Sequence, residues 1–432
     1  MTAQEESDFK NWYSGIFSIN YFFQGMNQSI FMVIVPIYII ILLTNKGVSI
    51  NPADIANIAT IILIPWAIKF IFGILSDRFG MKSLGRRKPW ILFPIICSGI
   101  SWIILPFTIT TVNVVLVFII LGLMINTGIA IADTALDGMI LDLCPKEQLG
   151  RTQGICWGFK SVGQVIGGPL LAVIVMFTGV SVESLFILYG ILMIVSTLTI
   201  LIIKEPEEYL RADIRKNLKA MFSRKRDWKV YIYALFNAII DAFVLLFLSL
   251  FLLVQMGLLP EGTSLYYTEE TANTSIYMDQ ARTTLIISIG IIIGAVLGGA
   301  YSDLVSRKSS VILSLLISTI TLLLMLIPFD VSILLLIAGT IGVGIGWRHA
   351  SYSAVIGEMS KKYPEMDSTY FSLANSLANG GSTLGLFITG QIFAIVGQYW
   401  VVFLIMAIVN NFGLIPFMLL KSEDYEIKRS KE

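Results

Sequence analysis

The chain has 432 residues, of which 56% are hydrophobic and 14% are charged, and its formal net charge is +1. Its mean hydropathy is +0.81, whereas about a quarter of the residues of a soluble domain are charged. The composition predicts a polytopic α-helical membrane protein and excludes a soluble enzyme, a nucleic-acid binder and a disordered protein. A membrane β-barrel is also excluded, because the apolar stretches are continuous and do not alternate.

Residues suited to metal and redox chemistry are scarce. The three cysteines, Cys97, Cys144 and Cys156, form no C-x-x-C pair, and His349 is the sole histidine. We therefore expect no metal site, no cofactor and no enzymatic activity. The polar, acidic start of the chain and the long first apolar stretch predict that there is no cleavable signal peptide.

Twelve stretches are long enough to cross a bilayer, which takes about 20 apolar residues. Because lipid offers no partner to backbone groups, we expect an all-α bundle. The predicted spans 1 to 12 are 13–43, 55–76, 89–109, 113–142, 153–178, 184–203, 229–257, 282–302, 310–328, 332–358, 368–396 and 399–420. Lysine and arginine cluster in loops 77–88 and 204–228, while the opposite loops carry only Lys46 and Arg282. This asymmetry predicts that both termini are cytoplasmic.

The polar loop 204–228 separates six spans from six. The expected organisation is a tail at 1–12, a six-helix bundle at 13–203, the loop at 204–228, a second bundle at 229–420 and a tail at 421–432. Both the tails and the loop are predicted to be cytoplasmic.

The two halves repeat a signature. Gly73-Ile-Leu-Ser-Asp77-Arg78 follows span 2, and Gly299-Ala-Tyr-Ser-Asp303 follows span 8. Residues 128–142 of span 4 also run parallel to 344–358 of span 10, at an offset of 216. Two such six-helix repeats resemble the major facilitator superfamily. That resemblance implies a substrate site between the halves near mid-membrane, and transport by rocking one half against the other.

The cytoplasmic loop motif is a candidate latch. An aspartate at a helix end can pair with arginines or cap a neighbouring helix, and a glycine permits close helix approach. The candidate gating residues are Gly73, Asp77, Arg78, Arg86, Arg87, Asp303 and Arg307. The segment Met81-Lys-Ser-Leu-Gly85 interrupts the superfamily's usual G-x-x-x-D-R-x-G-R-R. The alternative is a plain basic loop that only sets topology.

Small residues mark expected helix interfaces. Span 8 carries Gly290, Gly294 and Gly298 on one face, and span 5 carries Gly163 and Gly167. Such stripes allow close crossings in lipid. The superfamily resemblance places spans 5 and 8 face to face across the halves, so we expect these stripes to form a sliding seam; static packing is the alternative.

Charged side chains inside spans are expensive and are candidate functional residues. The bases are Lys69, Lys160 and Arg348, and the acids Asp133, Asp137 and Asp241 are candidates for proton coupling. Four of them lie about 12–15 Å from the cytoplasmic helix ends, which predicts one polar layer. The alternative is structural pairing, such as Lys69 with either aspartate of span 4 or Arg348 with Asp241.

Polar stripes accompany these charges. Span 1 carries Asn20, Gln24, Asn27 and Gln28 on one helical face. The candidate substrate-binding residues are Asn20, Gln24, Asn27, Lys69, Lys160, Gln164, Asn237, Arg348, Tyr352, Asn375 and Asn379. His349 is a candidate proton carrier, but adjacent helical residues point about 100° apart, which favours a bystander role beside Arg348.

Two segments narrow the resemblance. Ile64-Pro-Trp-Ala-Ile-Lys-Phe70 precedes the loop that ends in Gly85-Arg-Arg-Lys-Pro-Trp90, and Ala132-Asp-Thr-Ala-Leu-Asp-Gly138 precedes Gly154-Ile-Cys-Trp-Gly158. They resemble the folate–biopterin transporter family, with its P-W-x-x-K-P, A-D-x-x-x-D-A and C-W-G elements. Peptidoglycan-fragment permeases and acetyl-CoA transporters have a similar layout. Here Phe70 replaces a proline and Gly138 an alanine of the pattern.

The expected function is secondary-active transport. Three buried bases favour a small anionic organic solute, and buried aspartates favour symport with H⁺. No G-x-x-x-x-G-K-[ST] loop indicates ATP-driven transport. The expected partners are the solute, the proton and the lipid bilayer of a cell membrane, with no nucleic acid, and the expected state is a monomer. The alternatives are a non-transporting receptor or assembly factor on the same fold, and a transporter of neutral solutes such as sugars.

Overall fold

A computed structural model describes residues 9–81, 83–109, 114–205, 219, 221–266, 276–363 and 367–426. Within helices it leaves out some side chains, among them that of Asp77. The described backbone is helical apart from its turns and two isolated bridges, Ile50 with Leu265 and Met81 with Gly85. The predicted all-α class is therefore confirmed.

In the described part of the chain, eleven helices are long and apolar enough to cross a membrane. These are spans 1 to 6 at Tyr13–Thr44, Pro52–Ser76, Lys88–Thr108, Val114–Leu143, Ile155–Thr178 and Val182–Ile202, and spans 8 to 12 at Ile276–Leu304, Arg307–Leu324, Val331–Ser360, Thr369–Val396 and Tyr399–Met418. Their order matches the predicted spans.

Span 7 is broken, which is why it falls short of the length of the others. It consists of three helical segments at Lys225–Asn237, Phe243–Leu248 and Ser249–Gln255, the middle one π-helical. The Ser382 hydroxyl of span 11 accepts a hydrogen bond from the backbone N–H of Ala242 at 3.1 Å. A non-helical turn at membrane depth needs such a partner. The break places Asp241 directly after the turn.

The chain forms two compact units. The first comprises Met1–Val35 and Ile61–Ile214, and the second comprises Pro36–Thr60 and Arg215–Glu432. Residues 36–60, which end span 1 and begin span 2, thus group with the second unit. There Ile50 and Leu265 exchange backbone hydrogen bonds, and the Gln391 amide donates to Asn57 Oδ1 at 3.0 Å.

Glycines pack helices within each unit. A Cβ at Gly163 or Gly167 would collide with the backbone of span 1, at Phe22 and Met26. These two glycines therefore bring span 5 against span 1, a close crossing of the kind that small residues permit in lipid.

The second unit uses the same device for spans 8 and 10. Gly290 and Gly294 lie against the backbone of Gly339 and Val343, and Gly298 lies against Trp347. Each glycine stripe therefore faces a helix of its own unit, which corresponds to the static packing that the sequence left as the alternative to a sliding seam.

Candidate functional site

Three charged side chains lie together inside the first unit. The Lys69 ammonium donates to Asp133 Oδ2 at 2.8 Å, and Lys160 Nζ lies 3.8 Å from Asp133 Oδ1. All three side chains are less than a tenth exposed. A kink at Ile68 ends the helix Pro52–Ala67, so that Lys69 starts the next helical segment. The predicted pairing of Lys69 with span 4 is present, and Asp133 is its partner.

Asp137 lies one turn further along span 4 and has a different partner. Its Oδ1 accepts a hydrogen bond from the hydroxyl of Tyr21 in span 1. The same tyrosine ring lies 5.8 Å from Lys160 Nζ. Tyr21 was not among the predicted site residues, because an aromatic residue in an apolar span carries no sequence signal of a polar contact.

Lys160 lies among aromatic rings. Its Nζ is 4.7 Å from the ring centre of Trp157 and 5.3 Å from that of Trp66. At 3.8 Å its contact to Asp133 is longer than a hydrogen bond, and no nearer acceptor is found among the described residues. Cation–π contacts stabilise an ammonium in such a place, but they leave its hydrogen-bonding capacity unused.

The polar face of span 1 forms hydrogen bonds to spans 3, 4 and 5. Asn27 Nδ2 donates a hydrogen bond to Asn126 Oδ1 at 3.3 Å. The same oxygen accepts a second hydrogen bond from Trp66 Nε1 at 3.1 Å. Asn27 Oδ1 accepts from the buried Trp102 at 3.0 Å, and Gln164 donates to Gln28 at 3.0 Å. These amides hold helices together in the described conformation.

Asn20 and Gln24 line a small cavity of the first unit. Its free volume is about 10 Å³, roughly enough for one water molecule. Asn20 donates to the Ile16 carbonyl at 2.9 Å, while buried Gln24 Oε1 has no hydrogen-bond partner among the described residues. This space does not hold an organic solute.

The second unit holds a different charged group. Arg348 of span 10 donates to Asp241 Oδ1, and its other amino group donates to Asn410 Oδ1 of span 12 at 2.7 Å. The Arg348 side chain is 1% exposed. His349 Nε2 lies 2.8 Å from Asp241 Oδ2, and 52% of the His349 side chain is exposed. His349 thus shares Asp241 with Arg348, although adjacent helical residues point about 100° apart; its role as a proton carrier or a bystander stays a prediction.

The remaining predicted polar residues of the second unit are less closely tied to this group. Asn237 and Tyr352 are buried, and Asn237 Oδ1 and the Tyr352 hydroxyl have no hydrogen-bond partner in the described part of the chain. The Tyr352 ring lies 5.7 Å from that of Tyr233. Asn375 and Asn379 are half-buried on span 11.

The loop between spans 2 and 3 forms an ion pair with the end of span 4. Arg87 Nε donates to Asp142 Oδ2 at 3.0 Å, and its amino group donates to Ser76 Oγ at 2.8 Å. Arg86 donates to the same carboxylate oxygen at 2.7 Å. Gly138 makes room for this arrangement, because a Cβ there would lie 2.5 Å from the Arg87 guanidinium carbon.

The second unit repeats the arrangement. Arg307, at the start of span 9, donates to Glu358 at the end of span 10 at 3.1 Å, and to the Tyr425 carbonyl at 2.7 Å. Asp142 and Glu358 are related by the same offset of 216 as the rest of spans 4 and 10.

Each unit also has a glutamate that caps the start of its third helix. Glu205, just after span 6, accepts backbone hydrogen bonds from Arg86, Arg87 and Lys88 at 2.8–3.0 Å. A Cβ on Gly85 would lie 2.8 Å from the Glu205 carboxyl carbon, and Gly85 also has a φ of +98°, a conformation that favours glycine.

Glu426, just after span 12, has the equivalent position. It accepts from the Ser306 hydroxyl at 2.7 Å and from the backbone N–H groups of Arg307 and Lys308 at 3.1 and 2.9 Å. Partial burial raises the pKa of the Glu426 carboxyl, but these donated hydrogen bonds outweigh burial and hold its pKa below its ordinary value. Neither glutamate was predicted, although both stand 119 residues after the basic residue, Arg86 or Arg307, whose N–H they bind.

The other predicted gating residues have smaller or undescribed contacts. Gly73 faces span 4, where an added Cβ would lie 3.0 Å from Thr134 Cγ2. Arg78 is exposed and stacks on Phe79 at 5.6 Å, and Asp303 is exposed. The prediction for the Asp77 side chain lies outside the described residues.

The sequence profile of the Major Facilitator Superfamily matches residues 17–268 and 267–432. The chain belongs to this superfamily. It is a multi-pass transporter of a cell membrane and not an enzyme. In the part of the chain that the structure describes, no three His, Cys, Asp or Glu side chains lie close enough together to hold a metal ion.

Solved structures of other transporters have the same fold. A mutant of the nucleoside transporter NupG aligns over 94% of this chain and 99% of its own, with a TM-score of 0.70 and 14% identity. A D-xylose-proton symporter aligns over 95% of this chain and 98% of its own, with a TM-score of 0.67 and 14% identity. At this identity the likeness concerns the fold alone.

One curated relative is similar in sequence. A probable folate-biopterin transporter 4 of Arabidopsis thaliana is 25% identical over 158 residues. The match covers 36% of this chain and 32% of the relative, so this chain spans about a third of that protein's length.

Proposed function

We propose that this superfamily member moves a small anionic organic solute by alternating access, in symport with H⁺. The family and fold make it a transporter; the substrate charge and the coupling ion are the proposal. The observation that carries it is Lys160, a buried ammonium with unused hydrogen-bonding capacity, as its long contact to Asp133 indicates.

Lys160 is a better candidate anion site than Arg348. Both amino groups of Arg348 already bind protein acceptors, Asp241 and Asn410, so an anion has to displace Asp241 to reach them. Lys160 has to give up only a contact at 3.8 Å. The Lys160 side chain is 9% exposed, and burial strengthens a charged hydrogen bond.

Asp137 is the preferred proton acceptor of the first unit. Two carboxylates one turn apart repel each other when both are ionised, and a proton on one of them relieves that repulsion. Asp133 lies between two lysines, which favour its charged form. Asp137 has the hydroxyl of Tyr21 as its partner instead, so it is the member of the pair that takes the proton.

Transport of a neutral solute is the second candidate. It is favoured because the charges in each unit sum to zero. Two lysines balance two aspartates in the first unit, and Arg348 balances Asp241 in the second. Nucleosides and D-xylose, the solutes in the titles of the structural neighbours, are uncharged at neutral pH.

Uptake into proteoliposomes decides between the two. Radiolabelled folate serves as the anionic probe, following the relative's name, and a nucleoside and D-xylose serve as neutral probes. We expect uptake of folate, stimulated by an inwardly directed proton gradient. Uptake of only the neutral probes would overturn the anionic substrate.

Variants of Lys160 and Asp137 test the roles of the two residues. Lys160→Gln is expected to weaken folate binding about tenfold or more, since a charged contact is lost, while Lys160→Arg retains most of it. Asp137→Asn is expected to abolish proton-driven accumulation and to leave folate exchange partly intact. Equal loss of exchange and accumulation in Asp137→Asn would instead indicate a structural role.

The proposed topology places both termini and the loop 204–228 in the cytoplasm. It follows from the distribution of lysine and arginine. A reporter fused after Glu432 should behave as cytoplasmic, and an extracytoplasmic reporter would contradict the twelve-span arrangement.

A further inference from the structure

Asp241 binds two cationic side chains of different kinds. One is Arg348, whose guanidinium stays protonated at any working pH. The other is His349, whose Nε2 lies 2.8 Å from Asp241 Oδ2. An ionised carboxylate only accepts hydrogen bonds, so Nε2 carries a proton in this contact and Nδ1 is the atom that binds a further one.

His349 occupies the position that an acid occupies in the first unit. The offset of 216 between spans 4 and 10 relates His349 to Asp133, and Ser353 to Asp137. Asp133 is shared by Lys69 and Lys160. In the first unit span 4 supplies the acid, whereas in the second unit the equivalent span 10 supplies the two basic residues and span 7 supplies the acid.

Imidazole is the side chain whose ordinary protonation equilibrium lies between about pH 5 and pH 8. Half of the His349 side chain is exposed, and Asp241 is 16% exposed. Ionisable groups within spans face protein or a water-filled cavity, because lipid exposure is expensive. The exposed side of His349 is therefore accessible to protons.

We propose that His349 is a proton-binding residue of the transport cycle, and that its protonation loosens the hold of Asp241 on Arg348 and prepares Arg348 for an anionic solute. When His349 is neutral, the negative charge of Asp241 and the positive charge of Arg348 cancel. With protonated His349, two cations share one carboxylate, and the group carries a net positive charge. The inference deepens the proposed function and rests on it for the anionic solute.

Among the residues that the structure describes, no second acid contacts the pair of Asp241 and His349. The titratable and charged groups recorded against it are Asp241 and Tyr233 of span 7, and Arg348 and Tyr352 of span 10. Span 8 adds Tyr301, whose ring centre lies 5.5 Å from that of Trp347 at an interplanar angle of 52°. Span 12 contributes the neutral Asn410. Span 11, at Thr369–Val396, has no Asp, Glu, Lys or Arg in its sequence.

Proton and anion are then linked in both directions. If a proton on His349 strengthens anion binding by some factor, bound anion strengthens proton binding by the same factor. This is the thermodynamic requirement for coupling within the second unit, and it is independent of the proton proposed for Asp137.

The first test uses the fact that His349 is the only histidine of the sequence. Full-length protein with a histidine-free affinity tag and ¹⁵N-labelled histidine gives a single imidazole to observe by NMR. We expect this imidazole to take up a proton on acidification without any solute, as the proposed contact of its Nε2 with Asp241 leaves Nδ1 to bind it. An imidazole that keeps one protonation state overturns the inference.

The second test measures coupling with folate as the probe in proteoliposomes. We expect His349→Gln to lower proton-driven accumulation about tenfold or more and to lower folate exchange at acidic pH to the level that the wild type shows at alkaline pH. Ser353→Ala is the matched control, since Ser353 is exposed one turn along the same helix. Normal accumulation in His349→Gln, with loss in Asp137→Asn, overturns the inference and leaves the proposed function standing.

The two failures are distinguishable. If the wild type carries D-xylose and not folate, the anionic substrate of the proposed function is wrong, and the release of Arg348 for an anion is wrong with it. The imidazole signal then still decides whether His349 binds the proton, and D-xylose replaces folate in the accumulation assay.

Discussion

The two units have equivalent ion pairs and caps at the starts of spans 3 and 9, but their charged centres differ. Arg87 with Asp142 and Arg307 with Glu358 are equivalent ion pairs, and Glu205 and Glu426 cap equivalent helices. The charged residues inside the spans do not share this similarity. In the first unit two lysines contact Asp133, and in the second an arginine and a histidine contact Asp241.

The difference separates scaffold from function. A loop that starts a helix leaves backbone N–H groups without partners, and both units solve this problem with a glutamate. The charged groups within the spans have no such common structural task. Their divergence is expected if each unit has its own anion-binding base and its own proton-binding residue, Lys160 with Asp137 in the first unit and Arg348 with His349 in the second.

The largest loss of stability is expected when the ion pair between Lys69 and Asp133 is broken. Asp133→Asn leaves Lys69 and Lys160 without a carboxylate partner in a buried site. Removing one member of a buried ion pair costs about 3–5 kcal/mol, so thermal unfolding in detergent should occur at a much lower temperature. The double variant Lys69→Met with Asp133→Asn should recover part of the loss. An unchanged unfolding temperature in Asp133→Asn would mean that the pair does not support the fold.

The next effect compares the ion pairs of Arg87 and Arg307. Arg87→Ala and Arg307→Ala each remove one donor from a carboxylate and the donor to one further acceptor, the Ser76 hydroxyl or the Tyr425 carbonyl, at a cost of about 2 kcal/mol. Because the arrangements are equivalent, the two losses should agree within about 0.5 kcal/mol. Lys421→Ala, at an exposed pair with Glu423, is a control that should change little. A loss confined to one unit would refute the equivalence.

A smaller effect is expected at Gly138. An alanine Cβ would meet the Arg87 guanidinium at 2.5 Å. The end of this side chain is flexible, so it shifts and weakens its bond to Asp142, at a cost of about 1 kcal/mol. Combining Gly138→Ala with Arg87→Ala should cost less than the sum of both single changes, since they act on one contact. Strictly additive losses would show that Gly138 acts elsewhere.

The smallest effect concerns Glu426 and depends on pH. Its pKa is lowered in the folded protein, so its contribution is present above the unfolded value of about 4.3 and is lost as pH falls through the folded pKa. Glu426→Gln should destabilise the protein by about 0.5 kcal/mol at neutral pH. The difference from wild type should shrink below about pH 4. Denaturation of both proteins at neutral pH and below about pH 4 measures this difference in stability. A difference that grows on acidification would contradict the capping role of Glu426.

The sequence by itself determined the membrane class and the order of the spans. It also predicted two six-helix bundles at 13–203 and 229–420, whereas Pro36–Thr60 group with the second unit in the structure. These predictions follow from composition, from apolar length and from an internal repeat, all of which are local or additive properties of the chain. It also identified Lys69, Lys160, Asp133, Asp137, Asp241 and Arg348, because a charge within an apolar span is visible without knowing its neighbours.

Only the tertiary structure decided which of these residues meet. Arg348 and Asp241 are 107 residues apart, and Lys69 and Asp133 are 64 apart, so their contact depends on how each helix is rotated about its axis. The glycine stripes face spans 1 and 10 for the same reason. The break in span 7 puts Asp241 within reach of His349 as well as Arg348. Helix rotation is set by packing over the whole length of neighbouring helices, and no single sequence segment contains that information.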